Sequence, residues 1–513
     1  MGTLAALWSA TVHSRPGSPF LTFLSRSGES NTWSYRQFDQ IVELTAGRLH
    51  RLGVGKGDAV HLNLRNSPAF IMCLLACSRL GAWIVSTDPG SAARQISEQI
   101  SRTQPRVGVV GVDRRSAYHT GVALSDLPNL TVIEVSEDEP DTLAGSPLYF
   151  DGRTAGRRAA AEVVPEDRLA VVFTPGADER QRAVVLTQGN YARTARLAAK
   201  LAELRPEHRW FITLPLFHPH SQLRSLASAV VRGASVVLAG EFSASTWQAQ
   251  ARRTEVTHAA LFAAPMRMVL ARSPAGAQPL TLEHVWLTAG VDAEQSGRFA
   301  RLVGTTPQAV FGTPETCSLI TCGDGAIGDA LGRPIPGRPA YLADPESREP
   351  VPAGTIGSIA MTGRRGVELF AGYLDEPLAT AERFFDFDGR SWFDTGILAR
   401  ELPAGSWQRI TSSDRIVQVS GVDVSLPEVA ARIEGMPSVA TAVVAAVPHD
   451  IRDHELEVFV VPSRADDAPT CAELTAWAEV NLAPAARPAR WRVVPESPRT
   501  PAPLGSEQSP TRL

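Results

Sequence analysis

The feature that most constrains this chain is a recurring exchange of short apolar runs with longer segments of helical spacing. "AVHLNL", "AWIVST" and "RVGVVGV" are short and rich in β-branched residues, whereas "SPAFIMCLLACSRLGA", between the first two, places apolar residues at helical intervals. Ahead of them, "TWSYRQFDQIVELTAGRLHRLGVGKGD" reads as a short strand and an amphipathic helix ending at Gly53. Strands reached through helical crossovers lie parallel, and a parallel sheet is stable only with both faces covered. The expected class is therefore α/β. The glycine-rich "GVGKGD" follows a helix and precedes a strand, the reverse of the order a dinucleotide-binding turn requires, so it is a connecting turn.

The alternation continues through "RWFITLPLF", "ASVVLAG", "THAALFAAP", "HVWLTAG" and "TPQAVFG". From about Ala340 the spacing shortens to strands and turns, which predicts a small β-rich subdomain. A last strand-turn-helix-strand series starts near Asp414 with "RIVQVSGVDVSLPEVAARIEGMPSVATAVVAAVP". The expected domains are 1–412 and 413–513, with a disordered Pro/Ser-rich tail from about 495. A chain of 513 residues exceeds what one core organises.

A net charge of −4 gives no electrostatic case for nucleic acid or an anionic membrane, and no apolar run reaches the length of a membrane span. The start lacks the basic region of a secretory signal. Five scattered cysteines lack zinc-type pairing and suit a reducing, cytoplasmic compartment. Only Lys56 and Lys200 are lysine among 50 basic residues, so no lysine amine is available beyond position 200.

"FTPGADERQRAVVLTQGN" has the outline of a phosphate-binding loop between two apolar runs, with Thr174 and Gly176 at the turn. "GDAVHLNLRNSPAFIMCLLACSRLGA", "LPLFHPH", "FGTPET", "GRPIPG", "AGYLDEPLATAERF", "SWFDTGILAR" and "QVSGVDVSLPEVAARIE" follow in order. Together these segments resemble the adenylate-forming superfamily of acyl-CoA synthetases, acyl or aryl ligases and peptide-synthetase adenylation domains. The resemblance covers nearly the whole chain. It implies a large N-terminal domain of parallel sheets flanked by helices, a small mobile α+β C-terminal domain, and a cleft between them. It also implies formation of an acyl-adenylate from a carboxylate and Mg-ATP, followed by transfer to a thiol.

Residue by residue, the nucleotide contacts that the family uses are altered. In the loop, Pro175 removes a donor, Ala177 and Asp178 replace hydroxyl residues, Glu179 replaces a glycine, and Arg182 stands for the lysine. A carboxylate facing a phosphate at close range is repulsive by roughly 4 kcal/mol at an intermediate dielectric, unless Arg180 and Arg182 offset it. Pro314 precedes Glu315, the family's metal-binding acid; Ile397 occupies the ribose-binding aspartate position, with Asp394 reachable only by a shifted register. Ser412 replaces the hinge-proximal arginine, Asp414 matches the hinge, and Leu504 falls where the adenylation lysine is expected.

The acyl side keeps its outline. The resemblance places Phe217, Ala263, Ala289, Gly290, Phe311 and Gly312 around an acyl or aryl pocket, with His218 and Glu315 as the chemical groups. His218 orients an acyl carbonyl or serves as a general base near neutral pH, or is a packed residue closing the pocket. His218 and His220 have no third ligand nearby in sequence, so a metal there is not expected; Glu315 is the sole metal candidate. An amino acid substrate normally meets an aspartate where His218 follows Phe217, so the expected partner is a small amine-free acyl or aryl molecule, free or tethered to CoA or a carrier protein. Three readings compete: an adenylation-impaired homologue acting on such a molecule, in secondary metabolism; a ligase with unusual ATP contacts; and a non-catalytic partner protein. No cofactor belongs to the first, and Mg-ATP or CoA enters with the second.

Overall fold

The computed structural model describes residues 2–138, 148, 162–174, 181–274, 276–288, 291–317, 319–324, 328, 330–410, 416–464 and 468–494. Among these, two compact units are distinguished, 2–410 and 416–494.

The larger unit contains two sheets. In the seven-stranded one, Arg168–Thr174, Trp83–Ser86, Ala59–Asn63, Val107–Gly111 and Thr131–Val135 run parallel, and Arg182–Thr187 with Gly372–Tyr373 add antiparallel strands at one edge. Every residue of Ala59–Asn63, Trp83–Ser86 and Val107–Gly111 is buried, as covered parallel strands require. The helix Pro68–Leu80 is buried on nearly all sides and ends at Gly81 in the left-handed conformation (φ 69°), which spares a Cβ penalty. The helix Tyr35–Arg51 starts with a reciprocal Ser34–Gln37 cap. Gly53 and Gly57 of "GVGKGD" both have φ 86° and close a turn, and Lys56 Nζ reaches Asp167 at 2.9 Å.

The second sheet has 14 strands. Its parallel half contains Ser235–Ala239, Arg209–Ile212, His258–Leu261, His284–Leu287 and Gln308–Phe311 in that spatial order. The β-rich segment expected from Ala340 supplies Ala340–Ala343, Ile356–Thr362 and Arg390–Glu401, which continue this sheet as an antiparallel extension. The smaller unit has a five-stranded sheet covered by the helices Leu426–Glu434 and Cys471–Asn481, with Val429, Ile433, Val458, Val460 and Leu474 in its core. The assembly is an α/β unit plus an α+β unit.

Register in the parallel half builds a histidine stack. His258 lies opposite both Trp210 and His284; the His208 and His258 rings are 4.6 Å apart, and His258 and His284 stack at 5.5 Å. Burial holds His258 down to about 3 and His284 down to about 4. Folded rings therefore stay neutral while unfolded ones protonate near 6.5, so stability is complete above about pH 6.5 and falls as pH drops toward 4. We expect the parent's thermal midpoint to fall between pH 7 and 5. His284→Phe, which keeps the stacking surface, should reduce that loss by about 1–2 kcal/mol at pH 5. Equal pH slopes in calorimetric scans of the two proteins would contradict this account.

Candidate functional site

Four adjacent parallel strands end on one side of the large sheet, and the candidate residues follow their carboxyl ends. Thr213–His218 follows Arg209–Ile212, Phe262 follows His258–Leu261, Thr288 follows His284–Leu287, and Gly312–Glu315 follows Gln308–Phe311. Open parallel sheets gather ligand-binding loops at this end.

Phe217 and His218 are half-buried in a turn leading into a π-helical segment, His220–Leu226, which continues as the helix Ala227–Arg232. Single π-turns widen a helix locally and recur at functional sites. Gln222 in that segment accepts a hydrogen bond from the buried Tyr191 hydroxyl. Its amide donates to Ser86 Oγ (3.0 Å) and the Phe217 carbonyl (3.3 Å). Ser86 Oγ also donates to that carbonyl at 3.0 Å. The Phe217–His218 peptide is thereby fixed from behind. Phe262 sets its edge against the His218 ring with centroids 5.5 Å apart.

Burial, helped by the nearby Arg224 charge, lowers His218 to about 4, so its imidazole is neutral at pH 7. The His220 backbone N–H donates to His218 Nδ1 at 3.2 Å. With Nδ1 used as an acceptor, the neutral ring carries its proton on Nε2 and presents a donor there. A general base near neutral pH, one of the sequence expectations, needs the opposite arrangement. The geometry suits orientation of a carbonyl oxygen instead.

Glu315 is half-buried and accepts a hydrogen bond from Tyr373 Oη at 3.2 Å; its backbone carbonyl accepts from Phe370 N–H at 2.8 Å. Pro314 lies in the turn closed by Cys317 N–H to the Pro314 carbonyl (3.0 Å), and Cys317 itself has φ 56°. Among the described residues, no group of three or more His, Cys, Asp or Glu side chains is arranged to hold a metal.

The strands that flank the loop place Thr174 directly opposite Arg182. The Arg182 guanidinium is 5.7 Å from the Tyr373 ring centroid and binds Glu376 Oε2 at 2.5 Å; Arg102 holds Glu376 Oε1 at 2.6 Å. Arg102 also donates to the Gln181 carbonyl at 2.6 Å. One carboxylate is therefore gripped by two arginines, one of them at the loop's cation position. Ile397 is packed against the main core, while its backbone N–H donates to Thr395 Oγ1 at 3.2 Å. Asp394 is committed elsewhere, accepting from Arg348 (2.7 Å), Ser358 Oγ and the Gly396 N–H (2.8 Å). Burial opposes ionisation of Asp394, but these hydrogen bonds outweigh it and hold the carboxyl below its ordinary value.

Ala263 and Ala259 are buried within a second apolar core. Their small size serves helix-against-strand packing, with the Ala263 N–H donating to Thr288 Oγ1 at 3.2 Å. Phe311 and Gly312 are half-buried at the strand end. Gly176, Ala289, Gly290, Asp414 and Leu504 lie outside the described residues. Sequence reasoning missed Arg102, Tyr373 and Glu376, which meet Arg182 only through tertiary folding, and Arg224. That arginine is the one charged residue of the stretch "SQLRSLASAVV".

Residues 8–374 match the AMP-binding enzyme family and residues 428–502 match the AMP-binding enzyme C-terminal domain. The chain belongs to the AMP-binding enzyme family. A crotonobetaine/carnitine–CoA ligase of Escherichia coli O7:K1 is 25% identical over 448 residues, 85% of each chain. The fold is similar to that of the amide bond synthetase McbA from Marinactinospora thermotolerans (TM-score 0.80, 20% identity, 98% of this chain and 97% of that one). It is also similar to an o-succinylbenzoate CoA synthetase from Bacillus subtilis, a double mutant bound to a product analogue (TM-score 0.79, 19% identity, 97% and 96%).

The double grip on Glu376 has a measurable consequence. Glu376→Gln leaves Arg102 and Arg182 facing each other without their shared anion. We expect a loss of about 1–3 kcal/mol of stability and a gain in affinity for inorganic pyrophosphate over the parent, read by urea unfolding and by calorimetric titration. A variant as stable as the parent and equally indifferent to pyrophosphate would show that the pair has no such role.

Proposed function

We propose that this member of the AMP-binding enzyme family binds a small aryl or acyl acid, or its thioester, against the Phe217–His218 wall and acts on it without ordinary adenylation. The observation that carries this reading is the commitment of polar groups near the family's ATP positions to one another. Arg182 shares Glu376 with Arg102, Asp394 is taken by Arg348 and Ser358, and Ile397 offers a ribose no acceptor. Mg-ATP fits these residues poorly: it would have to displace Glu376, and among the described residues Glu315 stands in no group of three or more side chains that could hold a metal.

An acyl thioester already holds the activation that adenylation supplies. Transfer then needs a nucleophile to form a bond to the carbonyl carbon as the carbon–sulfur bond breaks, with the nucleophile's proton passing to the departing thiolate. His218 would donate Nε2–H to the carbonyl oxygen as negative charge grows there. CoA or a carrier protein would deliver the thioester, and Asp414 would serve as hinge between domains 1–412 and 413–513. Free cysteines throughout the described chain support a reducing, cytoplasmic setting, and a place in secondary metabolism belongs to the same proposal.

A second reading, an ATP-dependent ligase, is favoured by one observation. Arg182 keeps a cation at the loop position, and a triphosphate that displaced Glu376 would meet Arg102 as well.

Calorimetric titration separates the two. We expect Mg-ATP to bind with a Kd weaker than about 1 mM, carboxylate-dependent pyrophosphate exchange to stay at background, and at least one acid from an aryl and fatty-acid panel to bind without nucleotide. A micromolar Kd for Mg-ATP or robust exchange would establish the ligase reading. Absence of binding by every acid and thioester would favour a partner protein without turnover. His218→Ala should lower turnover of a bound thioester by about tenfold to a hundredfold, with a smaller effect on affinity.

A further inference from the structure

Arg224 sits in the π-helical segment with 6% of its surface exposed, and no carboxylate reaches it among the described residues. Its one side-chain hydrogen bond runs from Nη1 to His220 Nδ1 at 3.3 Å, and its Nε–H has no partner. Accepting that bond leaves His220 with its proton on Nε2, which is also buried and unpartnered. The nearest ionisable neighbours do not neutralise the guanidinium. Arg338 is a like charge, and Cys317 is held as a thiol because burial pushes its pKa up. A water molecule can close a neutral N–H donor, but it does not offset a cation withdrawn from bulk solvent.

The surroundings connect this cation to the acyl wall. The His220 ring lies edge-on to Phe262 (6.2 Å) and Trp286 (6.1 Å), and Phe262 in turn edges His218. Trp286 Nε1–H is a further buried donor without a partner. One continuous wall therefore carries a carbonyl-orienting imidazole at His218 and, one π-turn on, a buried cation whose Nε–H is unsatisfied. An anion with two acceptor oxygens complements that set.

We propose that Arg224 receives a second acidic group, so that the molecule bound here is a dicarboxylic acid or its monothioester rather than a simple monoacid. The inference rests on the acyl-binding reading above and adds the substrate's class to it. The carbonyl destined for transfer faces His218, and the distal carboxylate replaces the water lost by the Arg224 guanidinium.

The test compares matched acids without nucleotide: adipate against hexanoate, and terephthalate against benzoate, by calorimetric titration of the full chain. We expect at least one diacid to bind about tenfold or more tightly than its monoacid. Arg224→Met should reduce that preference to within about twofold while retaining monoacid binding. Its thermal midpoint without ligand should equal or exceed the parent's, because an uncompensated buried charge has been removed. Arg224→Gln is a second variant with the same expected loss of preference, and if neither variant folds the parent comparison alone decides. The proposal is overturned if no diacid binds more tightly than its monoacid, including the case in which none binds, or if a folded variant keeps the parent's preference. Tight Mg-ATP binding would remove the adenylation-free reading and leave a diacid preference standing, so the two failures are distinguishable.

Discussion

The geometry of the larger unit depends on a buried polar joint where the strand Arg182–Thr187 becomes the helix Gln188–Leu201. Thr187 Oγ1 caps the helix by accepting from Asn190 N–H (3.1 Å), and it donates to the Gly366 carbonyl (2.6 Å). The Asn190 amide donates to the carbonyls of Val367 and Leu369. One residue on, Gln188 bonds Ser78 and the Leu4 N–H, tying two further helices to the same point. These groups are buried, and a buried polar group left unpaired costs more than its bond returns, so the joint has little freedom to rearrange. It fixes the hairpin that carries Arg182 and the segment that places Phe370 N–H on the Glu315 carbonyl.

From this joint the electrostatics of the site follow by burial. Buried histidines are neutral because low hydration penalises their charged form, which leaves His218 and the stack at His258 and His284 uncharged; the neutral His218 ring is a donor at Nε2 because its Nδ1 accepts the His220 N–H. Arginine responds differently. Burial lowers Arg224 only to about 10, so it stays protonated. The same desolvation thus silences one class of base and leaves the other as a concentrated positive charge.

Family membership and individual polar contacts speak to different questions. The match over residues 8–374 fixes ancestry and fold, whereas the chemistry resides in side chains that a fold tolerates in many combinations. In this chain Arg182 is paired with Glu376 within the fold, and the Phe217–His218 peptide is buttressed by Ser86, Tyr191 and Gln222. That contrast motivates the adenylation-free reading.

The sequence by itself determined the α/β class and most strand positions, because covered parallel strands must be short and apolar and the helices between them amphipathic. "AVHLNL", "AWIVST" and "RVGVVGV" became Ala59–Asn63, Trp83–Ser86 and Val107–Gly111 for that reason. It also singled out Phe217, His218, Glu315 and Arg182 as candidates, because ordered motifs survive in linear sequence. Tertiary structure alone decided what these groups touch. Arg102, Arg182 and Glu376 lie far apart along the chain, so only folding could bring both arginines to one carboxylate. Likewise the role of Ala263 and the isolation of Arg224 depend on what surrounds each side chain, and local spacing carries no record of such neighbours.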